Sequence, residues 1–148
     1  MSKANRKILI FSAVITVVSW IYVIFSYAAL PKKIVGHFNF NGKVTTYNDK
    51  YTIWFLLGIF TLLQYAIYWL SKQKTPNKSS LKSKAAEKTV ALFTMPYVAV
   101  VLLLLNILIV EKSLNNSFNS GWFLFFFIGL TILFIVAFFT LIYKNLKT

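Results

Sequence analysis

The side chains of this sequence best suited to chemistry lie in one short stretch, Leu30 to Gly42, between two long apolar runs. The stretch contains the chain's one histidine, His37, followed by Phe38 and Asn39. An imidazole titrates near neutral pH, and an amide both donates and accepts hydrogen bonds. We therefore take His37, Phe38, Asn39 and Gly42 as candidate residues for recognition of a ligand or partner.

Catalysis by His37 would need further groups beside it. A hydrolytic site needs a nucleophile, a base and an orienting residue, and a metal site generally needs three or four ligands. Outside the apolar runs the loops nearest His37 offer only the acids Asp49 and Glu111, and the chain has no cysteine. We predict no catalytic residues, no metal and no cofactor, and hence no enzyme. The alternative that we keep open is a membrane enzyme in which His37 acts as a base together with Asp49 or Glu111.

The elements that must position this stretch are membrane spans. The chain is 58% hydrophobic and 13% charged, well above the apolar share of soluble domains. Four uncharged runs reach the roughly 20 residues that cross a bilayer: 8–30, 51–70, 90–110 and 122–143. The sequence predicts an all-α integral membrane protein, forming a single membrane domain over 1–148. The bilayer is its first partner.

The net charge of +13 is unevenly distributed. Eleven of the 16 basic residues lie before the first run, between the second and third, or after the fourth. The positive-inside rule then predicts cytoplasmic termini and an exterior first loop carrying His37. The first run resembles a secretory signal peptide, but it is longer than the apolar part of such a signal and three more spans follow. We therefore expect it to remain uncleaved as a membrane anchor. No run contains a carboxylate, ammonium, guanidinium or imidazole, so a proton-coupled pump is disfavoured.

Small polar residues at helical spacing predict how the spans pack. Ser12, Thr16 and Ser19 fall on one face of the first span, where another helix can approach closely. Asn106 and Gln64 are the amides within the runs, and either can hydrogen-bond across helices, so we count Asn106 among the helix-packing residues. Their different depths predict that they are not partners of each other. We expect Asn106 to lie near the exterior surface and to support the first loop.

The second loop, Ser71 to Thr89, is rich in lysine and serine and lacks the apolar residues of a core. We expect it to be mobile and to act chiefly as a topology signal. It also suits anionic lipid headgroups or an acidic cytoplasmic regulator. It lacks aromatic residues for base stacking, so we predict no nucleic-acid partner.

The first loop itself predicts a β-hairpin from Ile34 to Tyr47. Asn41-Gly42 favours a two-residue turn, because both residues tolerate positive φ. Strict alternation would place His37 and Asn39 on one face of the hairpin, and Phe38 and Phe40 on the other. Pro31 is expected to end the first span.

The stretch also resembles a known family. Leu30-Pro31-Lys32-Lys33-Ile34, then His37-Phe38-Asn39, Gly42 and Lys50 resemble the bacterial domain of unknown function numbered 1648, over about 26–60. The chain departs from that pattern at Val35, where members commonly have Pro, and at Thr45, where many have an acid. That domain is the N-terminal module of SdpI-like immunity proteins, which implies a bacterial cytoplasmic membrane protein. For the best-known relatives it implies protection from a secreted toxin and sequestration of a repressor.

Two functions remain open beside the enzyme. The first is SdpI-like immunity to, or sensing of, a secreted antimicrobial peptide through the exterior loop. The second is an accessory or structural subunit of a larger membrane complex, such as an exporter. The first predicts that loss of His37 abolishes protection, and the second predicts stable co-purification with a partner.

Overall fold

A computed structural model describes residues 3–39, 41–72 and 83–146 of the chain. In that part of the chain the elements follow the order α1, β1, β2, α2, α3, α4. Their bounds are α1 Lys3–Tyr27, β1 Lys33–Phe38, β2 Val44–Asp49, α2 Thr52–Leu70, α3 Lys84–Leu114 and α4 Ser120–Asn145. The part of the expected mobile loop at 73–82 lies outside the described residues, as does Phe40. For Lys84 to Thr89 the expectation of a loop was wrong, because these residues form the start of α3.

All four helices are long and apolar enough to cross a membrane. The predicted fold class, four membrane-spanning helices with a hairpin between the first two, is therefore confirmed. The helix bounds differ from those predicted. The first helix ends at Tyr27, before Pro31, because Ser26 to Leu30 already forms a turn. The third runs on to Leu114, since charged residues at a helix end can reach past the hydrocarbon.

The third helix is the centre of the bundle. It packs on α1, α2 and α4 and also on β1, whereas α1 touches α2 only lightly. The main apolar core lies at the end of the bundle nearest the hairpin, which we call the hairpin end. The opposite end, where α1 and α3 begin and α2 and α4 finish, is called the basic end. The core residues are Val23, Leu30, Ile34, Ile53, Leu57, Leu102 and Val110.

Polar side chains join the helices inside the bundle. Ser12 and Ser19 of α1 are fully buried, and Asn106 of α3 donates to the Ser19 hydroxyl at 2.8 Å. Gln64 of α2 donates to Thr16 at 2.8 Å, so the two amides have different partners, as predicted. The expectation that Asn106 supports the first loop was wrong. Because α3 continues to Leu114, Asn106 lies deeper in the bundle, against Ser19.

The fourth helix is the least enclosed of the four described helices. Its most apolar stretch has no buried residues, and Phe125, Phe126 and Phe139 are each more than half exposed. It meets α3 through Phe134, which stacks on Tyr97 with ring centres 4.0 Å apart. Most of α4 therefore lies on the outside of the bundle, where a membrane-spanning helix faces lipid.

Candidate functional site

The hairpin turn contains three residues rather than two. The Asn39 amide donates to the Lys43 carbonyl at 2.9 Å, so Asn39 and Lys43 are the paired residues on either side of the turn. Of the described residues only Gly42 has a positive φ, at 75°. The predicted two-residue turn was therefore wrong, because a three-residue loop needs the left-handed conformation only at its last position.

Asn39 has a structural part in this turn. Its side-chain oxygen accepts from the backbone amides of Asn41 at 3.1 Å and Lys43 at 2.8 Å. The carbonyl half of the amide is thus committed to shaping the loop, as asparagine commonly is at turns. Its NH₂ group is the half left for recognition of a ligand.

The predicted alternation of faces along β1 was wrong, because the register shifts on both sides of His37. Val35 pairs with Tyr47 but His37 pairs with Thr46, so Gly36 is an inserted residue. The Asn48 side chain occupies the space above Gly36, where a Cβ would come within 2.6 Å of its amide nitrogen. The bulge re-aims the side chains that follow it.

The result is a cleft between the hairpin and α4, which we call the hairpin cleft. Its volume is about 410 Å³, and it is lined by His37, Phe38, Asn39, Leu124 and Ile128. Leu124 and Ile128 are four residues apart, so they lie one above the other on α4. The lining of the cleft is therefore mostly apolar, from Phe38 of the hairpin and from the α4 wall, and its polar rim consists of His37 and Asn39.

The hairpin tip is fixed to the start of α4. The Ser120 hydroxyl donates to the Gly42 carbonyl at 2.6 Å, and both residues are buried. Gly42 lies against the backbone of Gly121, where a Cβ would come within 2.6 Å of the Gly121 nitrogen. Asn119 caps the helix by accepting from the Trp122 amide at 3.3 Å. The hairpin cleft therefore lies below a closed contact between the tip and α4.

The base of the hairpin is held by α3. Ile34 and Val35 are 1% and 3% exposed, and the Val35 amide donates to the Ser113 hydroxyl at 3.0 Å. Lys33 and Asp49 form an exposed ion pair at 2.8 Å across the first register position. The Asp49 carboxylate beside it raises the pKa of Lys33.

The two acids considered as catalytic partners are engaged elsewhere. Asp49 forms an ion pair with Lys33 at the base of the hairpin. Lys33 lies four residues before His37 on β1. Glu111 of α3 accepts from the Tyr22 hydroxyl at 2.9 Å. Neither carboxylate lines the hairpin cleft.

Several residues of this site were missed by sequence reasoning. Ser113 and Ser120 hold the hairpin, while Leu124 and Ile128 form the wall of the cleft. Leu124 and Ile128 resemble any lipid-facing pair, so no sequence signal marks them. The Asn119-Ser120-Gly121 run was a usable signal, since a cap followed by small residues marks a helix start that backbone can approach closely.

These features define a multi-pass membrane protein with a short hairpin docked on the ends of its helices. Comparison with known families adds one finding. Residues 14–61 match the family model described as Domain of unknown function (DUF1648), which confirms the resemblance predicted from the loop. The match begins inside α1 and ends inside α2, with the hairpin at its centre. No curated protein and no solved structure matches the chain.

Proposed function

We propose that this protein is an SdpI-like immunity or sensing protein of the bacterial cytoplasmic membrane. Its hairpin cleft would receive a secreted, membrane-active peptide on the exterior side. The observation that carries this proposal is the pairing of a polar rim with an apolar wall in one cleft. An amphipathic peptide that lies in the outer leaflet likewise has a polar face beside an apolar face.

The charge distribution supports the exterior position of the cleft. At the basic end, the described residues include Arg6 and Lys7 of α1, Lys72 after α2 and Lys144 of α4. By the positive-inside rule this end is cytoplasmic and the hairpin end is exterior. A peptide arriving from outside would then meet His37 before it reaches the hydrocarbon.

We propose further that the hairpin cleft binds without catalysis. Asp49 and Glu111 are engaged by Lys33 and Tyr22, so His37 lacks an acidic orienting partner. A histidine base generally needs such a partner to act on a substrate. The remaining use of the imidazole is recognition through hydrogen bonds.

The test is survival of sensitive bacteria challenged with a panel of secreted peptide toxins. Cells would make the natural protein, His37→Ala, Ile128→Trp or Thr46→Ala, at matched membrane abundance. Ile128→Trp fills the hairpin cleft, whereas Thr46 is exposed opposite His37 and does not line it. We expect protection by the natural protein and Thr46→Ala, and loss of protection by the other two.

Two results would contradict the proposal. The first is no protection against any toxin by abundant protein. The second is protection that neither His37→Ala nor Ile128→Trp reduces. Either result would favour an accessory subunit of a larger complex, for which the exposed length of α4 offers a contact surface. Co-purification from the membrane would then be the measurement.

A further inference from the structure

A second hollow lies between α3 and α4, away from the hairpin, and we call it the α3–α4 groove. Its volume is about 310 Å³. Its walls include Phe93, Pro96 and Tyr97 of α3 and Leu130, Leu133 and Ala137 of α4. All of these residues belong to membrane-spanning helices, so the groove opens at hydrocarbon depth.

Among the described residues that line the groove, no side chain offers a ligand an unpaired hydroxyl. The Tyr97 hydroxyl donates to Thr131 at 3.0 Å, and Thr131 in turn donates to the Phe127 carbonyl at 2.9 Å. A polar occupant would lose its own hydrogen bonds there without replacement. An apolar chain would instead gain the dispersion contacts that an empty groove lacks.

Lys144 supplies a charge at the end of the groove. Leu130, Ala137 and Lys144 are spaced seven residues apart, about two helical turns, and so follow one side of α4. Lys144 is exposed and lies in the last turn of the helix, at the basic end. An acyl chain lying in the groove would bring its headgroup toward that ammonium. Basic residues between spans at this side of a membrane are a common site for anionic headgroups.

We propose that the α3–α4 groove binds an acyl chain of an anionic phospholipid, whose phosphate lies at Lys144. The site is separate from the hairpin cleft and does not depend on the proposed immunity function.

The test is native mass spectrometry of the protein released from nanodiscs of phosphatidylglycerol and phosphatidylcholine in equal amounts. We expect the natural protein to retain phosphatidylglycerol in preference to phosphatidylcholine. Ala137→Phe fills the groove and should abolish retention of either lipid. Val136→Phe adds the same side chain at a position that is 60% exposed, and should leave retention unchanged.

A charge variant tests the headgroup separately. Lys144→Gln should reduce the preference for phosphatidylglycerol about fivefold, the ratio for one lysine near a charged surface, while lipid is still retained. Lys7→Gln, an equal charge change on α1 at the same end, should not alter the preference. Equal retention by Ala137→Phe and Val136→Phe, or equal effects of Lys144→Gln and Lys7→Gln, would overturn the proposal.

Discussion

Gly42 of the hairpin and Gly121 of α4 are in backbone contact. A Cβ on Gly42 would lie 2.6 Å from the Gly121 nitrogen and 2.7 Å from its Cα, closer than any real side chain can approach. The contact joins a residue of the first loop to a helix that begins almost 80 residues later. It fixes the position of the hairpin relative to α4, and the hairpin cleft lies between these two elements.

Gly42→Ala should therefore destabilise the fold. The left-handed backbone alone costs about 1–2 kcal/mol for a residue with a Cβ, and the clash with Gly121 adds to it. We expect the free energy of unfolding in detergent to fall by about 2 kcal/mol or more. Gly58→Ala is the matched control, because nothing lies within 4 Å of its new Cβ. It should be neutral or stabilise by up to about 1 kcal/mol.

Ser113→Ala should loosen the base of the hairpin. The substitution removes the acceptor of the buried Val35 amide, and an unpaired buried donor costs about 1–3 kcal/mol. Thermal unfolding of Ser113→Ala and of Ser117→Ala would be compared. Ser117 is exposed in the α3–α4 loop, so its change should stay within about 0.5 kcal/mol. Equal losses in the two variants would mean that Ser113 does not hold β1.

Two substitutions of Asn106 should have different effects on the free energy of unfolding. Its NH₂ group donates to Ser19, but its side-chain oxygen is buried without a partner in the described structure. Asn106→Leu removes that unsatisfied oxygen with the hydrogen bond, so stability should stay within about 1 kcal/mol. Asn106→Asp introduces a charge and should cost about 3 kcal/mol. A loss above about 2 kcal/mol for Asn106→Leu would show that the oxygen has a partner, such as a bound water.

The orientation of the protein in the membrane can be determined by labelling single introduced cysteines, because the chain has no cysteine of its own. Thr46→Cys on the exposed hairpin should react with a membrane-impermeant maleimide in intact cells. Lys7→Cys, at the basic end, should react only after the cells are opened. The reverse pattern would place the hairpin cleft in the cytoplasm and end the proposal of exterior recognition.

The Lys33–Asp49 pair predicts an alkaline pH dependence. Asp49 raises the pKa of Lys33 above its ordinary value of 10.5. The contribution of the pair is then fully present below pH 10.5 and is lost as the pH rises through the raised pKa of the folded protein. The difference in melting temperature between the natural protein and Asp49→Asn should be constant from about pH 7 to about pH 10. A difference that shrinks within that range would contradict this account.

The spans and the hairpin were predictable because each is dictated locally. A bilayer demands about 20 apolar residues in sequence, and that requirement can be read without knowing any partner. Asn41-Gly42 between residues that favour strands likewise marks a hairpin. Neither inference needs information about residues far along the chain.

The geometry of the site was less predictable because it depends on distant residues. The bulge at Gly36 lies against the side chain of Asn48, and the hairpin tip docks on Ser120 and Gly121. Leu124 in the cleft wall is an apolar residue like the lipid-facing residues around it, so its residue type does not distinguish it. Patterns within one span identify which face is polar, but not which helix that face will meet. Asn106 was misplaced for a different reason, because α3 continues past the apolar run to Leu114.

The central position of α3 has a consequence for biogenesis. The face of α1 that carries Ser12, Ser19 and Val23 is buried chiefly against a helix that begins at Lys84. At ordinary rates of synthesis roughly 3–12 s pass between the completion of α1 and the emergence of α3 from the ribosome. During that interval the segment matched to the family is completed, at residue 61, before its main partner exists. The newborn α1 must wait in the bilayer, or beside the insertion machinery, with its hydroxyl-bearing face uncovered.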